Sequence, residues 1–220
     1  MENVNPQLVL ASTSPRRRQL IALGGWSFDV VPVSVDETPL PGERPRDYVR
    51  RLAEAKVRVS AGHARAGQIV IGSDTTVVID DDILGKPADA GEAILMLRRL
   101  RGRTHQVCTG IAALNVADGR LVSDVCVTDV PMRAYDDDEI EAYVATGDPL
   151  DKAGAYAIQH ASFKPVASMD GCFASVMGLP LCHLVRLLKQ FRLPPQGDVA
   201  WACQAFLQYE CPVYSSILDA

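Results

Sequence analysis

The sequence predicts an α/β fold in which a mixed, twisted sheet is flanked by helices. Two observations carry this. Short apolar runs of strand character alternate along the chain with stretches whose apolar residues recur at helical spacing. In addition, two long strand-like runs, 105–116 and 120–135, flank Ala117-Asp118-Gly119, a turn signal that makes them an antiparallel hairpin. Interleaved strands and helices together with one long hairpin give a mixed sheet.

The elements follow in order. LVLAS, starting at Leu8, has the pattern of a short buried strand. Ser14 then suits an N-cap and Pro15 a first helical residue; Leu20 and Leu23 share a face, and Gly24-Gly25 ends the helix. FDVVPV, 28–33, reads as a second strand. Pro45 opens a helix in which Tyr48, Leu52, Ala55 and Val59 recur at spacings of four, three and four. IVIG, 69–72, is a buried strand, and TTVVIDDDILG after it gives a further strand, a turn at Asp80 to Asp82 and a short return. Asp89 and Glu92 have capping-box spacing ahead of AILMLRRL, and Gly102 stops that helix. DDDEIEAYVATG is a short helix whose leading acids suit the positive end of the helix dipole. DPLDKAGAYAIQ is a loop or short helical turn leading into a strand. LCHLVRLLKQF, after Pro180, is an amphipathic helix that Pro194-Pro195 breaks. No internal repeat is visible. From Arg192 the texture changes, and Trp201, Phe206, Leu207 and Tyr209 imply that this tail docks on the rest.

At 220 residues, 48% hydrophobic and 22% charged, the chain suits one domain with two lobes. No apolar run approaches the roughly 18 residues of a membrane span, and MENVNPQ lacks the form of a secretory signal, which points to the cytoplasm. A net charge of −5 argues against a nucleic-acid partner. The six cysteines show no C-x-x-C pair and no metal spacing, as expected of reduced thiols. His63, His105, His160 and His183 are scattered as well.

Candidate chemistry begins at Arg16, Arg17 and Arg18, in the first turn of the first helix. Cations there oppose the helix dipole by about 0.3–1 kcal/mol each. The placement makes sense if an anion sits at the helix start, where unpaired N–H groups and the hydroxyls of Ser12, Thr13 and Ser14 also point. The Gly-rich spacing and lysine of a P-loop are missing. Asp74, two residues past IVIG, is placed to face a cleft and to hold Mg²⁺ or orient a water. Asp36 and Glu37, between the second strand and Pro39, are free for a metal or base role. With 17 arginines and only 5 lysines, Lys56, Lys86 and Lys152 stand out. Gly154 allows a close backbone approach, and Gln159 offers a donor and an acceptor that match a pyrimidine edge. Taken one at a time, each block also fits a plain role: a solvated arginine face, a turn aspartate, loop acids, an edge-strand glutamine.

Together, LASTSPRRRQLI, VDETP, RLAEAK, GSDTTV, LGKP, LRRLRGRTH, DKAGAYAIQ and VMGLPL, in this order from Leu8 to Phe191, resemble the Maf family of nucleoside triphosphate pyrophosphatases. The resemblance divides the chain into a Maf-like domain, 1–191, and an extension, 192–220. It implies an α/β fold like that of inosine triphosphate pyrophosphatases, with a cleft between two lobes. It also implies hydrolysis of a nucleoside triphosphate to monophosphate and pyrophosphate with a divalent cation, Mg²⁺ or Mn²⁺, and a homodimer. On the matching positions, Asp74 is the implied proton acceptor, and Glu37 and Asp74 the implied metal ligands. Ser12, Ser14, Arg16, Lys56, Lys86 and Lys152 fall around the phosphates. Arg17, Thr75 and Gln159 match positions that separate the family's branches and look like the branch acting on dTTP and UTP. His160 departs from the glycine that often follows the glutamine, and is placed to narrow the base pocket. Two alternatives stay open: the branch acting on 7-methyl-GTP, and a nucleotide-binding regulator of septum formation without turnover.

Overall fold

The structure, a computed structural model, describes residues 7–219. Its centre is a six-stranded mixed sheet. Strands β1 (Leu8–Ala11), β2 (Phe28–Val30), β3 (Ile69–Ile79), β5 (Thr104–Asn115) and β6 (Leu121–Pro131) lie in the order β2-β1-β3-β5-β6, and β4 (Asp82–Leu84) pairs with β3. β1 is parallel to both β2 and β3, whereas β3, β5 and β6 run antiparallel. The mixed sheet and its long β5–β6 hairpin match the sequence reading.

Helix α2 (Pro45–Ala61) covers one face of the sheet; α1 (Pro15–Ala22), α5 (Phe173–Val176) and α6 (Leu181–Lys189) lie on the other. Helices α3 (Ala90–Leu100) and α4 (Asp137–Val144) and two 3₁₀ turns, Asp148–Asp151 and Ala153–Ala155, build a second lobe around the far half of β3. Asp136 and Glu139 form the full capping box of α4, and Asp89 caps α3 through the Glu92 N–H at 2.8 Å. Among the described residues no helix is long and apolar enough to cross a membrane.

Four local expectations change. β3 is one continuous strand, not two pieces, so Asp74 lies mid-strand rather than past a strand end. Gly72-Ser73-Asp74 has low strand preference, but pairing with β5 along Ile69–Val78 holds it extended. β2 stops at Val30 because its partner β1 ends at Ala11, and the chain then leaves toward Glu37. Helix α2 buries Tyr48, Val49, Leu52, Ala53, Lys56, Val57 and Ser60, a stripe that keeps the expected Tyr48 and Leu52 but is rotated away from Ala55 and Val59; Val59 is 49% exposed. The polar Lys56 and Ser60 on that stripe hid it from an apolar count. No strand forms at 156–159, where the chain turns irregularly.

The tail forms α7 (Val199–Leu207) and α8 (Tyr214–Leu218) and packs against the core. Val199 and Ala200 are buried and Leu207 partly so, whereas Trp201 and Phe206 are 69% and 44% exposed. The tail docks as expected through Leu207 and Tyr209, with Val199 and Ala200 in place of Trp201 and Phe206.

Candidate active site

One edge of β3 is paired with β5 throughout. Its other edge pairs with β1 as far as Gly72 and with β4 from Val77. Residues 73–76 therefore have an open edge, and a cavity of about 580 Å³ lies against it. The end of β1, the start of α1, the loop around Glu37, Lys86 and the segments 151–159 and 176–178 complete its walls. Side chains alternate across a strand, so this edge presents two chemistries.

On the α2 side stands Asp74. A Cβ on Gly72 would lie 2.5 Å from the Ala53 oxygen, and one on Gly110, Asp74's cross-strand partner, 2.3 Å from the Val49 oxygen. Only glycine lets α2 settle this close to the sheet, and that approach delivers Lys56. The Lys56 ammonium donates to Asp74 Oδ1 at 2.5 Å and to Glu37 Oε1 at 2.8 Å. Lys56 and Asp74 are buried, and Glu37 is half-exposed at the mouth. Burial raises the Glu37 carboxyl, but the hydrogen bond and charge of Lys56, with Lys86 and Arg17 behind, bring it below the usual carboxylate value on balance. The Glu37 loop is itself tied to α2: the Tyr48 hydroxyl donates to the Glu37 carbonyl at 2.8 Å, and Arg51 grips Glu43 at 2.6 Å. Burial, then Asp74 and Glu37, push the Tyr48 phenol up to about 12. Asp36 stays outside, accepting from the Thr38 N–H at 2.9 Å.

On the opposite side stand Ser73, Thr75 and Arg17. Arg17 Nε donates to the Gly178 carbonyl at 2.9 Å, and its terminal nitrogens reach Thr75 Oγ1 at 3.3 Å and Ser12 Oγ at 3.5 Å. Thr109 gives its proton to the Ser175 carbonyl at 2.8 Å, so in the 3.0 Å contact between Thr75 and Thr109 the donor is Thr75. Ser73 Oγ also reaches the Gly178 carbonyl, at 2.8 Å. Gly178 has φ +112, and a Cβ there would lie 3.2 Å from Arg17 Nε, so glycine is required. Burial lowers the Arg17 pKa, opposed by the charge of Asp74.

At the start of α1, Ser14 caps the Arg17 N–H at 3.5 Å and Ser12 Oγ accepts from the Ser14 N–H at 3.1 Å. Pro15 has no N–H, and that of Arg16 makes no hydrogen bond among the described residues. Arg16 reaches Asp151 only at 3.8 Å, and Lys86 is exposed without an ion pair among the described residues. This end of the cavity thus offers an anion two cations with unfilled donors and a helix start.

A model of the Maf-like protein family matches residues 7–191. The chain belongs to this family. A protein of Geobacter metallireducens named dTTP/UTP pyrophosphatase is 46% identical over 185 residues, covering 84% of this chain and 96% of its own length. Proteins of the same name from Anaeromyxobacter dehalogenans and Dehalococcoides mccartyi are 46% and 40% identical, over 86% and 91% of this chain and 96% and 89% of theirs. The solved Ham1 protein of Staphylococcus aureus aligns with a TM-score of 0.38 and 14% identity over 58% of this chain and 72% of that one.

Within this Maf-like site, eleven of the residues singled out from sequence line the cavity: Ser12, Ser14, Arg16, Arg17, Glu37, Lys56, Asp74, Thr75, Lys86, Lys152 and Gln159; Arg18, Asp36 and Gly154 do not. Two of them behave differently from expectation. Gln159 is exposed in a turn, not at a strand end. Lys152 directs its ammonium to the Asp148 carbonyl, to Asp148 Oδ1 at 2.9 Å and to Asp151 Oδ1 at 2.6 Å. Its three donors are filled, so it ties the 3₁₀ turns together. His160 does not narrow the cavity: it packs 4.6 Å from the Tyr143 ring, and its Nδ1 accepts from the Phe163 N–H at 3.0 Å. Sequence reasoning missed Ser73, Thr109 and Gly178 as partners in the Arg17 network, and Tyr48 as the anchor of Glu37. Polar residues inside runs that otherwise read as buried strands were the available signal for Ser73 and Thr109.

Proposed function

We propose that the chain hydrolyses dTTP and UTP to the nucleoside monophosphate and pyrophosphate. The observation that carries the reading is Asp74 on the open edge of β3, joined through Lys56 to Glu37 and facing Arg16 and Lys86 across one cavity. The names of the relatives support the substrates.

In this reading a water attacks the α-phosphorus in line with the leaving pyrophosphate. The water oxygen forms the new P–O bond, the bond to the bridging oxygen breaks, and Asp74 takes the water's proton. Lys56 aims Asp74 through their 2.5 Å hydrogen bond. Arg16, Lys86 and the start of α1 neutralise the charge that gathers on pyrophosphate. Arg17 and Thr75 shape the base end, and Gln159 reads the pyrimidine edge.

The donor chemistry suits a divalent cation. Two carboxylates converge on one ammonium, and Mg²⁺ typically takes one or two carboxylates plus substrate phosphates. Among the described residues no group of three or more His, Cys, Asp or Glu could hold a metal unaided, which fits a cation that arrives with the nucleotide. Glu37 and Asp74 would hold it, and it would supply positive charge to the phosphate oxygens. The reading includes a cytoplasmic homodimer, with twice the 23.8 kDa chain mass in solution.

The test is pyrophosphate release from a nucleotide panel with Mg²⁺ or Mn²⁺, with Asp74→Asn as control. Release from dTTP and UTP that the variant loses is the expected result. Release from 7-methyl-GTP alone would keep the chemistry and overturn the base assignment. Binding without release from any nucleotide would replace the enzyme with a regulator.

A further inference from the structure

The C-terminal extension lies beyond the span matched to the Maf-like family, yet it grips two elements of the site from behind. One grip is at the end of α1. Trp26 Nε1 donates to the Pro194 carbonyl at 3.0 Å, and the Gln196 N–H donates to the Gly24 carbonyl at 3.0 Å. The other is at the approach to α5. The Tyr209 hydroxyl lies 2.9 Å from the Gly171 carbonyl and 3.1 Å from that of Met169, and its ring packs 5.5 Å from Phe173. Tyr209 is held in turn by its N–H to the Gln204 carbonyl at 3.2 Å.

The front ends of these same two elements meet in the cavity. Arg17 lies in the first turn of α1, and Gly178 lies just past α5; they are joined by the 2.9 Å bond from Arg17 Nε to the Gly178 carbonyl. Ser175, within α5, accepts from Thr109. The extension thus spans the back of a clamp whose jaws close on Arg17. A partly buried guanidinium held by neutral oxygens depends on where those oxygens stand, because no carboxylate follows it if they move.

We infer that the extension is a brace that fixes α1 against the 169–178 segment and so sets the base end of the cleft, with Tyr209 as its positioning residue. This rests on the pyrophosphatase reading for its kinetic consequence. One phenolic proton shared between two carbonyls fixes the approach to α5, and Tyr209→Phe removes it while keeping the ring contact.

The experiment uses the full chain, with Tyr209→Phe and, as control, Trp201→Ser, whose side chain is 69% exposed on the same extension. Two quantities are read: kcat and KM for dTTP and UTP, and amide hydrogen exchange along the chain. The brace predicts a KM raised about five- to tenfold in Tyr209→Phe with kcat within twofold. It also predicts faster exchange at the Gly178 and Leu179 amides, which bond to the Ala174 carbonyl at 3.1 and 2.9 Å. Trp201→Ser matches the wild type in both. An unchanged KM, or exchange altered only around 204–212, overturns the brace. A wild type that releases no pyrophosphate from any nucleotide fails the functional reading instead; the exchange pattern then decides the brace by itself.

Discussion

At one end of the cleft, charge is paired with charge; at the other, a partly buried guanidinium is held by neutral oxygens. Lys56 bridges Asp74 and Glu37 on the α2 side of β3, while Arg17 is held on the opposite side by Gly178, Thr75 and Ser12. The first arrangement suits a site whose contents change charge. An ammonium between two carboxylates can exchange partners as phosphates enter, and half-exposed Glu37 lets water screen the change. The second suits a site that must keep its shape. Its acceptors are the Gly178 carbonyl, 161 residues away in sequence, and the hydroxyls of Thr75 and Ser12, so the fold positions them and titration does not. In the proposed function, chemistry and selectivity thus fall on opposite faces of one strand and would fail in different ways.

The largest effect is expected at the charged end. Asp74→Asn removes the proposed proton acceptor but leaves Lys56 paired with Glu37, so pyrophosphate release should fall about 10³-fold, within the range typical of a lost general base. The melting temperature should change little. A variant with full activity in the presence of metal would move the base elsewhere and break the division between the two ends.

The charged end was the more legible in the sequence. Asp74, Glu37, Arg16 and Lys86 are conspicuous because ionisable residues beside strand-like runs need a reason. Lys56 was conspicuous too, but its place on the buried stripe of α2 was not, since an apolar count selects against it. The neutral end was half hidden. Arg17 and Thr75 could be named, whereas their main partner is a backbone carbonyl at Gly178, and no side chain marks a carbonyl as an acceptor. The fold was readable where periodicity was strong, as in the β5–β6 hairpin. It was misread where tertiary pairing overrides propensity, as at Gly72-Ser73-Asp74 in β3.

Titration sharpens the comparison next. Tyr156 lines the cavity, and its hydroxyl lies 2.8 Å from Nε2 of buried His105. Burial pushes the imidazole down to about 4, with the charge of Asp129 pulling it slightly up. The folded pKa lies below the unfolded value near 6.5, so the unfolded chain binds more protons between the two. Stability rises with pH through that window, is complete above about 6.5, and is lost as pH falls toward 4, by about 3 kcal/mol in all. Urea midpoints from pH 7 to 4 should show this slope in the wild type and a flatter one in His105→Gln. Equal slopes would assign the acid sensitivity to carboxyls held below their ordinary value, such as Glu37 and Asp148.

Packing comes third. Gly110→Ala places a methyl 2.3 Å from the Val49 backbone oxygen, which no rotamer can relieve. Overpacking of this kind costs about 1–3 kcal/mol. Because α2 must back away, Lys56 leaves Asp74, so urea midpoint and kcat should fall together. A stability loss with kcat intact would mean that the ion pair tolerates the shift.

The smallest effect separates the two ends most cleanly. Thr75→Val keeps the volume of the side chain but removes the hydroxyl that accepts from Arg17 and donates to Thr109. Arg17 keeps Gly178 and Ser12, and Thr109 keeps Ser175, so no buried group loses every partner and the cost is about 1 kcal/mol. Asp74 is the next residue along β3 but points to the other face, so the proton acceptor is untouched. The variant should therefore raise KM for dTTP and UTP about fivefold with kcat unchanged, the signature of binding lost equally in ground and transition states. If kcat falls in step with kcat/KM, Thr75 acts on the reacting phosphate, and the two faces of β3 form one functional unit.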